Sequence, residues 1–409
     1  MRPFEKLVSV PLVILLLTAP VEPAAAQAPV IDWSQADDVI YHSEAVGQYR
    51  VVTVVEDLQD PWSIAWLPDG DMLIAEKPGR LSVFRDGELQ EIQGVPQVHY
   101  SGQGGLLDVA LHPDFASNRL VYLSYSLGNE DGSESTTAVS RGRLEDGSLH
   151  DVEEVFVAEA WGPGGGHYGS RLVFDDEGYL FITVGDRTPS GQTASMDDME
   201  RHPAQDLSNH QGTTIRLHDD GGVPSDNPFM DEPGALPEIW SYGHRNAQGM
   251  VIHPETGDLW QTEHGPQGGD ELNLILPGVN YGWPVIGYGV HYGGEPIHEG
   301  THREGMEQPV WYWTPSIATS GLEAYMGDVF PEWQGSLLAG GLAGQRIERL
   351  PVQEEDEGYL AGRLERPSIL MGFGRVRDVR EGPDGYVYVV IDDRTHGTPT
   401  PIVRLEPVE

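Results

Sequence analysis

A two-part motif recurs along this chain: an apolar alternating stretch, a turn rich in Pro, Asp and Gly, and a second β-rich stretch. The clearest copy is Ile64-Ala65-Trp66-Leu67-Pro68-Asp69-Gly70-Asp71-Met72-Leu73-Ile74. Further copies run at 107–124, 170–182, 250–260 and 378–390, with a degenerate one at 329–338. Alternation with a period of two marks half-buried strands. The turn residues reverse the chain, Pro by fixing φ, Asp by bonding nearby backbone, and Gly by tolerating positive φ. The turn centres, near 69, 114, 177, 255, 332 and 384, are spaced as four-stranded units plus loops. Third strands recur at 80–84, 213–217, 346–350 and 402–405. Six such units predict an all-β fold, a six-bladed β-propeller of four-stranded antiparallel blades. A β-helix would repeat on a shorter, stricter period, and a single sandwich would be smaller.

A propeller must close. The strand-like segment 49–55 precedes the first unit and is expected to pair with the C-terminal blade, hiding an edge. The propeller then spans 49–409, behind a leader at 27–48. Residues 1–26 read as a cleaved secretory signal. Arg2 and Lys6 precede an apolar run at 7–19, and Ala24-Ala25-Ala26 offers the cleavage site. Extra length falls at 125–166, 186–212 and 283–327, insertions expected on one face to build a site.

The chain has 65 acidic and 24 basic side chains, a net charge of −41, and no cysteine. Such a surface repels nucleic acid and anionic lipid, which excludes those partners and, with export, points to a periplasmic or secreted monomer with no membrane insertion of the mature chain. Stability comes without disulfides. Lysine occurs only at Lys6 and Lys77. Dense carboxylates with few lysines point to a saline habitat; an arginine-favouring genome is the alternative.

No zinc helix, nucleophile elbow or phosphate-binding loop is present. What remains is polar residues at related ends of the repeat units. Gln103 precedes the second unit and His167 the third. Arg245 and Asn246 precede the fourth, and Gly265 and Pro266 follow its second strand. Arg375 and Arg377 precede the sixth, two apart and so on one face of a strand. Gly243-His244-Arg245-Asn246-Ala247-Gln248-Gly249 offers a guanidinium and an amide to an oxygen-rich anion. The turn-rich segment 263–271 offers carbonyls and carboxylates to a hard cation such as calcium. Each has a plainer reading: His167 as a turn cap, the arginines as partners of surface carboxylates. Trp311-Tyr312-Trp313 reads equally as an apolar plug or as a wall for stacking a sugar.

Six segments together carry a resemblance: Gly102-Gln103-Gly104-Gly105-Leu106-Leu107, His167-Tyr168-Gly169-Ser170-Arg171-Leu172, Gly243 to Gly249, Glu263-His264-Gly265-Pro266, Asn280-Tyr281-Gly282-Trp283-Pro284 and Arg375-Val376-Arg377-Asp378-Val379. From about Val51 onward the chain resembles the soluble PQQ-dependent aldose sugar dehydrogenases, relatives of soluble quinoprotein glucose dehydrogenase. The resemblance implies oxidation of an aldose to its lactone, with hydride passing to pyrroloquinoline quinone (PQQ) and electrons then to an external acceptor. It makes His167 the catalytic base and Arg245 the stabiliser of charge on the reduced ring. Gln103, Asn246, Arg375 and Arg377 become holders of the cofactor. Gly265 and Pro266 become backbone ligands of an active-site Ca2+, and Glu271 and Tyr281 ligands of a second calcium. The family's cofactor-binding lysine in the fifth blade is Ala343 here, and a further glutamine ligand is sought at Gln192 or Gln205. Two other readings of the fold are a binding scaffold without redox chemistry and a calcium-dependent lactone hydrolase.

Overall fold

In the computed structural model, residues 40–43, 47–188, 196–352, 354–355, 358–359, 367–393 and 398–408 are described. The expected signal at 1–26, most of the leader and Gln192 lie outside them. Among the described residues, no helix is long and apolar enough to cross a membrane.

Six antiparallel sheets, one per repeat unit, form the blades of a propeller. Blade 1 runs Pro61–Trp66, Met72–Glu76, Arg80–Arg85 and Glu88–Glu91. The inner strands of blades 2 to 6 are Leu106–Leu111, Leu172–Phe174, Ala247–Ile252, Thr319–Tyr325 and Arg375–Glu381. All four expected third strands occupy that position in their sheets. Closure is as expected: Gly47–Leu58 pairs antiparallel with Thr400–Pro407, so a strand from ahead of the first unit completes blade 6, and Ile40–Ser43 adds a fifth strand outside it. The joined ends remove an open sheet edge.

Two of the six turns differ from tight hairpins. The second unit carries a single helical turn, Phe115–Asn118, which buries Phe115. The fifth carries a 3-10 turn, Pro331–Trp333, which buries Trp333 against Phe330 in a parallel stack at 4.0 Å. In both, a large ring fills the space between blades, and the turn lengthens to deliver it.

The core lies between blades rather than in one mass. Leu73 and Leu81 of blade 1 meet Leu106 and Val121 of blade 2. Ile182 and Ile215 of blade 3 meet Tyr122 and Val139 of blade 2, and Phe181 meets Met250 of blade 4. Trp260 meets Leu322 and Leu337, Leu338 meets Val376 and Val389, and Ile402 and Val390 meet Ile64 and Ile74. Each blade is buried on both faces against its neighbours, so second strands such as Met72–Glu76 and Leu180–Val184 are buried at every position rather than at alternate ones.

The axis is closed by charge. Arg171, 1% exposed, places Nη1 3.0 Å from Asp108 Oδ1 and Nη2 3.1 Å from Asp378 Oδ1. Its Nε donates to the Gln248 carbonyl, and its guanidinium lies 4.5 Å from the Trp62 ring. A Cβ on Gly321 would stand 2.3 Å from Asp378 Oδ1, so only glycine fits there. One buried cation thus touches, directly or through its carboxylate partners, the inner strands or flanks of every blade.

Candidate active site

At one end of the axis the loops preceding the inner strands enclose a cavity of about 670 Å³, lined by Gln103, His167, Arg245, Asn246, Gly265 and Pro266 among others. Six of the sequence-predicted residues therefore meet at a single space. They arrive on four separate loops, because the blades repeat and each loop leaves its strand at the same end.

Glycine makes the close approach possible. Gln103 N–H donates to the Gly165 carbonyl at 2.7 Å. A Cβ on Gly102 would lie 2.6 Å from that carbonyl oxygen. His167 follows this crossing with φ +47, the left-handed region that is costly for a side-chain-bearing residue. Its conformation is held from outside: His167 N–H donates to Gln103 Oε1 at 3.0 Å, and Gly169 N–H to Asn246 Oδ1 at 3.0 Å. With their oxygens so engaged, the side-chain NH2 groups of Gln103 and Asn246 are the donors left for a ligand.

The imidazole is oriented by a residue that the sequence reading missed. His167 Nδ1 lies 2.6 Å from Asp186 Oδ1. An ionised carboxylate only accepts, so Nδ1 carries the proton and Nε2 keeps its lone pair. Asp186 also receives Trp283 Nε1–H on Oδ2 at 2.7 Å and Thr188 N–H on Oδ1 at 2.9 Å. Burial opposes the ionisation of Asp186, but His167, Arg245 and His202 hold its carboxyl well below the usual range. Burial lowers the His167 pKa, Arg245 pushes the same way, and Asp186 opposes both. The signal available in sequence was Gly185-Asp186-Arg187 at the end of a strand of the same blade.

Arg245 spans the cavity wall. Its Nη1 donates to the carbonyls of His264 and Gly265, at 3.0 and 2.9 Å, and its guanidinium lies 5.2 Å from the Trp283 ring. Its buried Nε has no partner among the described residues, which leaves a donor unmet. The Gly265 turn is fixed by Asp270, one of the carboxylates that segment 263–271 was expected to offer to a cation, which here holds backbone instead: Oδ1 accepts Gly265 N–H at 2.9 Å, and Oδ2 accepts Ile317 N–H at 2.8 Å. The Gly265 carbonyl retains a second lone pair, and no described residue donates to the Pro266 carbonyl.

Arg375 and Arg377 need a correction in their backbone. A bulge between Val376 and Asp378 breaks the regular pleat, so spacing by two does not place them on one face. They converge all the same, on Asp392 Oδ2, at 3.6 Å from Arg375 Nε and 3.0 Å from Arg377 Nη2. Arg377 Nη1 donates to Gln248 Oε1, which also bonds His264 Nε2. Neither arginine lines the cavity wall itself; Arg377 reaches it through Gln248 and His264.

Glu271 and Tyr281 lie beside the cavity, in a smaller recess that also includes Glu263 and Arg245. Glu271 stands opposite Glu263 in register, and Asn273 Nδ2 donates to both carboxylates, at 3.2 and 3.0 Å. Burial raises the Glu271 pKa well above the carboxylate range, and Glu263 raises it further. The Tyr281 hydroxyl is turned away, donating to the Leu274 carbonyl and accepting from Leu276 N–H. Gln205 is paired with Asn280 and donates to the Trp283 carbonyl, a loop-holding role. Trp313 is 3% exposed and bonds Glu348, as a plug would. Tyr292, not the Trp311-Tyr312-Trp313 triplet, is the aromatic residue on the cavity wall. Ala343 also lines the cavity.

The chain matches the family described as Glucose / Sorbosone dehydrogenase over residues 58–400. It is 44% identical over 354 residues to the aldose sugar dehydrogenase YliI of Escherichia coli (strain K12), covering 84% of this chain and 90% of that one. The crystal structure of the soluble aldose sugar dehydrogenase from Escherichia coli in the apo form superposes with a TM-score of 0.79 at 40% identity, over 88% of this chain and 100% of that one. The PQQ-bound form of an aldose sugar dehydrogenase from Streptomyces coelicolor superposes with a TM-score of 0.69 at 29% identity, over 88% and 98% of the two chains.

Proposed function

The chain belongs to the glucose/sorbosone dehydrogenase family and is an oxidoreductase of aldose sugars; from that premise we propose that it oxidises the anomeric hydroxyl to the lactone with PQQ and Ca2+, and passes the electrons to an external acceptor. The observation that carries this reading is the His167–Asp186 pair, which leaves an unprotonated Nε2 on a residue lining the same cavity as Arg245, whose Nε has no partner among the described residues.

The residues fit the implied groups. PQQ is a planar acid with three carboxylates. The cavity offers the Arg245 guanidinium and the free NH2 groups of Gln103 and Asn246, with Arg375 and Arg377 adding positive potential behind them. Gly265 and Pro266 carbonyls are oxygen donors of the kind a hard cation takes. Glu263 and Glu271 form a second, carboxylate-rich place for calcium, where a cation would relieve two like charges. Tyr281 would contribute there through its carbonyl, because its hydroxyl is engaged elsewhere. When bound, the quinone supplies the two-electron acceptor and calcium a Lewis acid that polarises it.

The chain's own residues do the rest. His167 Nε2 takes the hydroxyl proton as the C1–H bond breaks, while Asp186 holds the ring and stabilises the imidazolium that results. Arg245 faces negative charge as it develops. Mature protein in the periplasm or outside the cell, acting as a monomer, accords with the signal-like N-terminus and high charge.

The test is reconstitution. Apo protein mixed with PQQ and calcium should reduce an artificial dye on adding an aldose, and omission of either component should abolish the reaction. Absence of both turnover and a quinone absorbance change across a broad sugar panel would instead support a binding scaffold.

A further inference from the structure

The segment joining the third and fourth strands of blade 4, Asp270–Leu274 and Trp311–Trp313, carries a short hairpin at 288–296. Val290 bridges Pro296 across it. His291 N–H donates to the Glu295 carbonyl and Gly294 N–H to the His291 carbonyl, both at 2.8 Å. The hairpin is fixed to the loop that carries Gly265 and Pro266. Gln267 and Val290 exchange backbone hydrogen bonds at 3.1 Å each. The Gln267 side-chain NH2 donates to the carbonyls of His291 and Tyr292, at 3.1 and 3.3 Å. At the base of the hairpin the Tyr288 ring stacks on Tyr312 at 3.8 Å, and the Tyr288 hydroxyl donates to Gln308 Oε1 at 2.7 Å.

The backbone at Tyr292 is therefore held, while its side chain is left free. Tyr292 is 55% exposed, and its ring and hydroxyl have no stacking or hydrogen-bonding partner among the described residues. A lone exposed apolar side chain needs no explanation in itself. Of the exposed large hydrophobic side chains among the described residues, however, Tyr292 is the one that lines the cavity shared by His167 and Arg245. Val290, Thr314 and Pro315 stand on the same wall and carry no charge. A rigid ring of few torsions binds at low entropic cost. Its apolar face suits the C–H face of a pyranose, and its position leaves the charged and basic groups to the reacting end.

We propose that Tyr292 is the residue on which the aldose stacks, setting affinity for the sugar without touching the reacting atoms. The inference rests on the reading of the chain as a PQQ-dependent aldose dehydrogenase. Binding of this kind acts alike on the ground and transition states, so it shows in KM and not in kcat.

Two measurements test it together: dye reduction by protein reconstituted with PQQ and calcium over a range of glucose concentrations, and titration of apo protein with PQQ followed by tryptophan fluorescence. Tyr292→Ala should raise KM for glucose about two- to tenfold, the worth of one aromatic contact, with kcat and PQQ affinity at their wild-type values. Tyr292→Phe, which keeps the ring, should keep the wild-type KM. An unchanged KM in Tyr292→Ala overturns the proposal. So does weaker PQQ binding in that variant, which would assign the ring to the cofactor, or an equal rise of KM in Tyr292→Phe, which would assign the contact to the hydroxyl. A wild-type chain that neither binds PQQ nor reduces the dye overturns the dehydrogenase reading and this inference with it.

Discussion

His167 Nδ1 and Asp186 Oδ1 lie 2.6 Å apart, inside one blade, with both side chains buried. The contact fixes the tautomer and leaves a single basic nitrogen. Replacement Asp186→Asn keeps the shape but lets an amide NH2 donate to Nδ1, which would move the proton to Nε2. Turnover should fall on the order of 10²- to 10⁴-fold, the usual worth of general-base catalysis. PQQ affinity, measured by fluorescence, should stay near wild type. Unchanged turnover would remove the pair from the proton-transfer step. His167→Gln should show the same split.

The pH profile follows from the same surroundings. Burial and Arg245 lower the His167 pKa, so the ring is neutral below its ordinary value. The acid limb of kcat/KM should lie below about pH 6.5, the unperturbed imidazole value. Burial also lowers the His264 pKa well down, with Arg245 and Arg377 acting in the same direction. For a group depressed on folding, the stability present above the unfolded pKa is lost as pH falls toward the folded one. Urea midpoints should therefore drop between about pH 6.5 and more acid values. An acid limb above that range would contradict the assignment.

Calcium should stabilise the fold through Glu263 and Glu271. Without metal, the raised Glu271 pKa means that stability present below the unfolded carboxylate value, about 4.3, is lost as pH rises through the folded one. Calcium at a hundred times its Kd should add about 2.7 kcal/mol by mass action and flatten that dependence. Glu271→Gln should make the metal-free protein no less stable and reduce the calcium gain. Differential scanning calorimetry with calcium and with EGTA reads both effects; a calcium response untouched by Glu271→Gln would place the stabilising ion elsewhere.

Arg171→Met should be severely destabilising. It removes one of the two cations beside Asp108 and Asp378, whose side chains are 1% and 0% exposed, leaving Arg380 at 3.7 Å from Asp108 and 3.0 Å from Asp378. Breaking a buried pair from one side costs about 3–5 kcal/mol. The urea midpoint should fall accordingly with the unfolding slope retained. A change under 1 kcal/mol or so, the scale of an exposed pair, would show that Arg380 alone is enough to hold both carboxylates.

The acidic surface makes a separate prediction. With a net charge of −41, added salt should screen self-repulsion and raise Tm across a potassium chloride series. A flat series would leave arginine-favouring codon usage as the better account of the composition.

The repeat of apolar alternation and Pro-Asp-Gly turns was enough to determine six blades, because period-two burial and chain reversal are local properties. Residues 49–55 also declared themselves as the closing strand, since a strand ahead of the first unit has one place left to pair. Gln103, His167, Arg245, Asn246, Gly265 and Pro266 were legible because each stands at the same end of its unit, and repetition carries equal positions to one rim. Asp186 and Asp392 were not, and Asp270 was singled out only as a cation ligand, because a carboxylate in a sequence rich in carboxylates does not reveal its partner. Only the tertiary structure decided which of the many acids orients an imidazole, pins a turn or gathers two arginines. The reason is that these are contacts between segments far apart in the chain, set by how blades pack and by a bulge such as the one at Arg377, which no local pattern records.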